Sequence, residues 1–411
     1  MKKVLLSLLI GAGIPLGAAA QTGESVSADT VFAPSSPVLL EDLSKAAGLR
    51  RAYCYRQSPL LQPPPEGYEQ SYIFYFGRHG STPNKDHKAT ETLISRLKTA
   101  YENGLLTPKG CQLYEDLVLV GEASRGTGGY LSQTGCRQME GIARRMYVNF
   151  TDSFGNYSEI RCVSNPDAAS LLSLAAFTNQ LASCNPRLRV RLSCDEAHAS
   201  YVQASKPDSA ALKSAKDTLD KNMAYPASDS IFREFFMDSG RAEEIFGSAQ
   251  EFSRALMQEA SQCPNLDPAK PVDLFNYLPF SDICYWWSRE NNLVHYSTQS
   301  LRASGILRHM ISCADRALEA SGSSADVCIS DADAFLALLA GLNVEGAGEA
   351  DLCPMAANVQ MVFYRNRSGK ALVRILLNER EASLQELEPQ QGHYYIWDEV
   401  KNQINNKLKQ K

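Results

Sequence analysis

The stretch YIFYFGRHGSTPN, residues 72–84, decides the reading of this chain. From Tyr72 to Phe76 every residue is apolar or aromatic, a run of strand length without polar alternation, which is the pattern of a strand covered on both faces. The run ends on Arg78-His79-Gly80, followed by Thr82 and Pro83. Open α/β sheets bind ligands outside the carboxyl ends of their strands, so the arginine and the histidine are expected at the mouth of a cleft. A histidine so placed can attack phosphorus through a ring nitrogen, while the adjacent arginine neutralises charge on the equatorial oxygens. Gly80 would let the backbone approach the transferred group closely. Three residues in a row define no site by themselves.

Working outward, further apolar runs of strand length lie at 158–164, 325–330 and 358–365, and the last pairs through NRSGK with ALVRILLN as a predicted hairpin. Between them fall amphipathic helical patterns: GCRQMEGIARRMYVNF from 135, AASLLSLAAFTNQL from 168 and STQSLRASGILRHMISCADRALEA from 297. Strands alternating with such helices predict an α/β fold, a mixed sheet covered by helices on both faces. Residues 185–290 differ, being polar and helical with aromatics bunched at IFREFF and YWW, and are expected to form an inserted helical cap. The α/β core is then 67–184 and 291–411, preceded by a leader and proline-rich approach over 21–66.

The chain opens MKKVLLSLLIGAGIPLGAAAQ, which predicts a signal peptide over residues 1–20 and export to the periplasm or the exterior. Its apolar centre is too short to span a bilayer, so no stable membrane insertion is expected after removal. Formal net charge is −5, and loss of Lys2 and Lys3 with the signal makes it −7, which excludes a general affinity for nucleic acid or anionic membrane. The chain has eleven cysteines, an odd count, with no C-x-x-C pair, so a zinc cluster is not expected. Cys284 and Cys328 sit in apolar surroundings and are expected to be buried structural thiols.

Four segments carry a resemblance: YFGRHGS (75–81), GYLSQTGCRQMEGIARRMYVNF (129–150), SLAAFTNQL (173–181) and PMAANVQMVFYRNRSGKALVRILLNERE (354–381). Through them, from about residue 70 to 400, the chain resembles the histidine acid phosphatases, in the branch of phytases and multiple inositol polyphosphate phosphatases. The resemblance implies a phosphoglycerate mutase-like histidine phosphatase core, a helical cap over the site, and a phosphohistidine mechanism with no metal and no other cofactor. It makes Arg78 the first pocket arginine and His79 the nucleophile. The second and third pocket arginines fall on Thr82 and Ala169, and the later pocket histidine on Asp331. Asp333 stands where one form of the family has its proton donor. Lys85 and Lys88, in STPNKDHK, could fold back to replace the charge missing at Thr82 or could simply be a solvated basic loop.

Each lost charge-stabilising donor costs about 3–4 kcal/mol of transition-state stabilisation. An ionised Asp331 about 4 Å from phosphate adds roughly 4 kcal/mol of repulsion per charge at an effective dielectric near 20. Two readings follow: a phosphomonoester hydrolase for inositol polyphosphate-like substrates with strongly reduced activity, or an inactive homologue that binds a sugar, a peptide or a protein partner in the cleft. The partner is a small phosphorylated substrate or another cleft ligand, and sequence leaves the oligomeric state open. Outside this site, His295 and His309 are read onto one long helix, His198 onto a cap loop and His393 into an aromatic cluster, none with metal-ligand spacing. Protein recovered from a secreting host is expected to begin at Gln21, checked by intact mass; a full-length mass in that fraction would contradict the signal assignment.

Overall fold

The computed structural model describes residues 36–56, 61–226, 230–267, 271–297, 302–319, 323–347 and 350–409. The expected signal peptide and the leader up to residue 35 lie outside the described residues.

Strand β1 (Tyr68–Arg78) contains the apolar run. Tyr72, Phe74 and Phe76 point into one core while Ile73 and Tyr75 point into another, so both faces of the strand are buried and polar alternation is absent. The other strands are β2 (Glu159–Ser164), β3 (Arg189–Ser193), β4 (Ala325–Ser330), β5 (Asn358–Asn366), β6 (Ala371–Leu377), β7 (Arg380–Glu381) and β8 (Tyr394–Ile396). They form one mixed sheet in the order β3-β2-β4-β1-β5-β6-β7, with β8 beside β6. Pairings from β3 to β1 are parallel and those from β1 outward are antiparallel. The predicted β5–β6 hairpin is present, its turn held by Asn366 Oδ1, which accepts from Ser368 N at 3.1 Å and Lys370 N at 2.9 Å.

Among the described residues the helices are, in order, α1 (Ser36–Glu41), α2 (Lys88–Glu102), α3 (Pro108–Ser124), α4 (Gln133–Asn149), α5 (Ala168–Cys184), α6 (Ala199–Val202) and α7 (Ser209–Asn222). After these come α8 (Ser230–Phe235), α9 (Ser239–Phe246), α10 (Ala249–Gln262), α11 (Phe280–Ser297), α12 (Ser304–Leu318), α13 (Ala332–Leu342) and α14 (Trp397–Lys409). Helices α4 and α5 cover one face of the sheet, and α12, α13 and α14 cover the other. A third, all-helical core gathers Phe232, Phe235, Phe236, Phe246 and Phe252 against Leu93 and Leu97 of α2 and Leu113 and Leu117 of α3.

Three boundaries differ from the sequence expectation. β3 lies inside the stretch expected to be helical cap, yet it extends the sheet parallel to β2; as a largely exposed edge strand, RVRLS lacks the apolar run that marks a buried one. The helical body also recruits α2 and α3 from the other side of the sequence, because their apolar faces need cover that the sheet does not provide. The long helix expected from 297 begins instead at Ser304, so His295 on α11 and His309 on α12 belong to different helices. Gly305 sits in the first turn of α12 where a Cβ would lie 2.5 Å from the carbonyl oxygen of Ser200, a close approach that seats this helix start on α6.

All eleven cysteines are described and unpaired, with Cys284 and Cys328 buried as expected. No helix among the described residues is long and apolar enough to cross a membrane. Phe252, at 1% exposure, touches the rings of four other phenylalanines of the helical body. Phe252→Ala is expected to cost about 3–5 kcal/mol in urea unfolding, as for other buried aromatic truncations; a loss below about 1 kcal/mol would show that this cluster does not hold the helical body together.

Candidate active site

β1 delivers the site by running between β4 and β5. Arg78 stands in parallel register with Ser330, and the His79 amide donates to the Ser330 carbonyl at 2.8 Å. His79 and Asp331 therefore leave adjacent strand ends side by side. Ser164 pairs with Ile329, and Asn165 N donates to Ile329 O at 2.9 Å, which brings the loop after β2 to the same edge. The backbone on the other side is fixed by Ala356 N donating to His79 O at 2.8 Å.

His79 Nδ1 lies 2.9 Å from the Gly80 carbonyl oxygen. A carbonyl only accepts, so Nδ1 carries the proton and Nε2 keeps its lone pair, the nucleophilic tautomer. Burial first, then the Arg78 charge and more weakly Lys85, push the imidazole down to about 4, against Asp167 and the Gly80 hydrogen bond. The ring is neutral at physiological pH.

Arg78 is buried, and its Nη1 donates to the carbonyls of Leu49 at 2.5 Å and Cys353 at 2.7 Å. The expected phosphate ligand thus also ties two distant chain segments together. Arg78 Nε and the buried hydroxyls of Ser164 and Ser330 have no hydrogen-bond partner among the described residues, which leaves unsatisfied polar groups at the ends of three neighbouring strands.

Gly80 is required by the packing of this loop. A Cβ there would lie 2.7 Å from Gly135 O, and one on Gly135 would lie 2.4 Å from Ser81 O, so the loop after β1 rests directly on the first turn of α4. Side chains from three helices hold that loop. Ser173 Oγ accepts from Gly80 N at 3.0 Å, Gln138 Oε1 from Ser81 N at 2.9 Å, and Gln262 Oε1 from Asn84 N at 3.2 Å. Ser81 Oγ also donates to Asn265 Oδ1 at 2.7 Å.

Thr82 and Ala169 are both buried, Ala169 in the first turn of α5. Asp331 caps α13, its Oδ1 accepting from Ala334 N at 2.9 Å. Burial raises its carboxyl, Asp333 and Asp167 raise it further, and Arg78 and the cap bond oppose them. The expected acid, Asp333, has both oxygens on Arg302, with Oδ1 accepting from Nη1 at 2.7 Å and Oδ2 from Nη2. To protonate a leaving group it would have to come off that pair. Lys85 is exposed, its stem lies against Gly129, and its charge is felt at His79. Lys88 instead lines a separate hollow with Phe246 and Glu251. Among the described residues no group of three His, Cys, Asp or Glu side chains is placed to hold a metal ion.

Sequence reasoning missed three charges. Asp167 caps α5, accepting from Ser170 N at 3.0 Å, Ser170 Oγ at 2.7 Å and Asn165 Nδ2 at 2.8 Å, and it acts electrostatically on both His79 and Asp331. Its capping place before an apolar helix was the available signal. Arg50 and Glu290 carried none, being far apart in sequence. Glu290 accepts from Leu49 N at 3.2 Å, burial raises its carboxyl, and Arg50 and Arg78 oppose that rise.

No protein-family model matches the chain, and no curated protein matches it in sequence. Solved structures do match. The multiple inositol polyphosphate phosphatase of Bifidobacterium longum, solved with inositol hexasulfate, is similar with a TM-score of 0.70 over 87% of this chain and 97% of that one, at 14% identity. The phytase of D. castellii gives 0.64 over 88% and 85% at 11% identity, and apo Hafnia alvei phytase 0.50 over 84% and 98% at 11%. The chain therefore has the histidine acid phosphatase fold, in a divergent form. At such identity the likeness speaks for the fold, and the chemistry rests on the residues described above.

His79 in the folded protein is expected to titrate near pH 4 by imidazole NMR. In the unfolded chain it takes its proton near 6.5, so this contribution to stability is lost as pH falls from about 6.5 towards 4. A folded-state value near 6.5 would mean that the ring is open to water and its neutral form is not enforced.

Proposed function

We propose that this protein is an exported histidine-acid-phosphatase-type protein in which the phosphohistidine machinery for inositol polyphosphate-like monoesters is retained in orientation and strongly reduced in power. One observation carries the reading: the oriented nucleophile His79 is flanked by the carboxylates Asp167 and Asp331, while Arg78 is partly spent on backbone carbonyls. Export rests on the pattern of residues 1–20 alone. The ligand class is supported by the structural neighbour crystallised with inositol hexasulfate and, separately, with phosphate.

In the proposed reaction Nε2 of His79 attacks phosphorus, the P–O bond to the leaving alcohol breaks with its electron pair going to that oxygen, and water later hydrolyses the phosphohistidine. Arg78 and Lys85 are the positive groups assigned to the phosphoryl oxygens. Each negative charge of the phosphate meets repulsion of roughly 4 kcal/mol from an ionised carboxylate about 4 Å away at an effective dielectric near 20. The leaving oxygen also needs a proton, and Asp333 as placed serves Arg302. That engagement favours the second reading, a cleft that binds a sugar, a peptide or a protein partner without turnover.

Phosphate release from phytate and aryl phosphates, followed from pH 3 to 8 beside a His79→Ala control, tests this. Turnover is expected orders of magnitude below the usual range of about 1–1000 per second. What remains should fall on strong acidification as His79 protonates near 4, while neutralisation of Asp331, whose pKa burial raises, acts in the opposite direction. Asp331→Asn should lift the residual rate at pH 7 by about tenfold or more, the equivalent of one repulsive charge removed. Vigorous His79-dependent turnover by the unmodified protein at pH 7 would sink the proposal.

A further inference from the structure

On the sheet face covered by α12, bounded by β2, β3, α6 and α12, lies a cavity of about 690 Å³. That is the size of an ordinary small-ligand site. Four arginines from three elements line it: Arg161 on β2, Arg191 on β3, and Arg308 and Arg316 on α12. In a chain whose net charge is −5 this is a local excess of positive charge. Glu159 offsets part of it, 2.9 Å from Arg161 Nε and 3.2 Å from Arg191 Nη2. The acid on the wall, Asp326, is buried and already accepts from Tyr72 Oη at 2.8 Å and Ser323 Oγ at 2.5 Å.

Arg308, Ser312 and Arg316 recur at four-residue spacing, which puts two guanidinium groups and a hydroxyl on one exposed face of α12. Tyr201 of α6 stacks flat on His309, with ring centroids 4.0 Å apart and planes 5° from parallel, and supplies a rigid aromatic wall. Converging like charges repel one another, and an anion relieves that repulsion while the low-dielectric walls of a hollow focus the field. Guanidinium forks match the oxygens of phosphate and sulfate groups two at a time. The cavity is separate from the His79 cleft. Arg161 stands in register with Asp326, four residues before Ser330 on β4, roughly 13 Å back along the strand from the carboxyl ends.

We propose that this arginine-lined cavity is a second binding site, for a small polyanion bearing phosphate or sulfate esters. It binds without covalent chemistry: the neighbouring Cys313 thiol is buried and pushed up to about 12 by that burial.

The test is calorimetric titration of the full chain with inositol hexakisphosphate and, in a second arm, inositol hexasulfate, at low and raised salt, with NMR of the Tyr201 and His309 rings to locate the ligand. Binding that shifts those rings and weakens tenfold or more in the double variant Arg308→Ser, Arg316→Ser, but persists in His79→Ala, is the expected result. Both replaced residues are exposed, and the circular dichroism of the double variant should match that of the parent. Binding of either ester with that dependence supports the site. Absence of ring shifts at saturation with both probes, or affinity unchanged in the double arginine variant, would overturn it.

Discussion

The pairing of β1 between β4 and β5 is the constraint on which the site depends. It sets Arg78 opposite Ser330 and so places His79 beside Asp331 before any side chain is considered. A slip of one residue would exchange the two faces of β1, sending Tyr72, Phe74 and Phe76 into the core now filled by Ile73 and Tyr75. Those aromatic side chains differ in bulk from what each core accommodates, so the packing of two layers of helices determines the register that presents the histidine.

The Arg-His-Gly triplet has structural duties that do not involve phosphate. Arg78 joins the strand end to the Leu49 and Cys353 carbonyls, and Gly80 lets the following loop lie on α4. Behind Arg78, Arg50 and Glu290 bring further charge into the same interior region, where removal of one partner would leave another uncompensated. Two of the three residues can therefore persist for the sake of the fold. His79 differs, since its side-chain bond to Gly80 does no more than select the tautomer.

In the proposed mechanism, orientation of the nucleophile and neutralisation of its target are thus separable. Orientation of the ring comes from a backbone group next to His79 in sequence, the Gly80 carbonyl, and does not depend on the groups that the proposed reaction needs to hold phosphate. Neutralisation must be assembled from the loops after three strands, and here those loops supply Asp167 and Asp331 where positive or neutral donors would serve phosphate better. Asp167 and Asp331 each cap the helix that follows, so their carboxylates stabilise helix starts whether or not a ligand is present.

Much of this was written locally in the chain. Apolar runs marked β1, β2, β4 and β5, the NRSGK turn marked the hairpin, and the end of the apolar run at Gly77 marked the strand end at which the candidate site lies. These features depend on neighbours within a few residues, so the sequence by itself determined them. Tertiary structure alone decided that RVRLS joins the sheet, that α2 and α3 complete the helical body, that Arg302 occupies Asp333, and that four arginines from β2, β3 and α12 face one hollow. Each of these is a through-space relation between segments far apart in sequence. Burial and electrostatic coupling depend on distance in the folded chain, and spacing along the chain does not encode it.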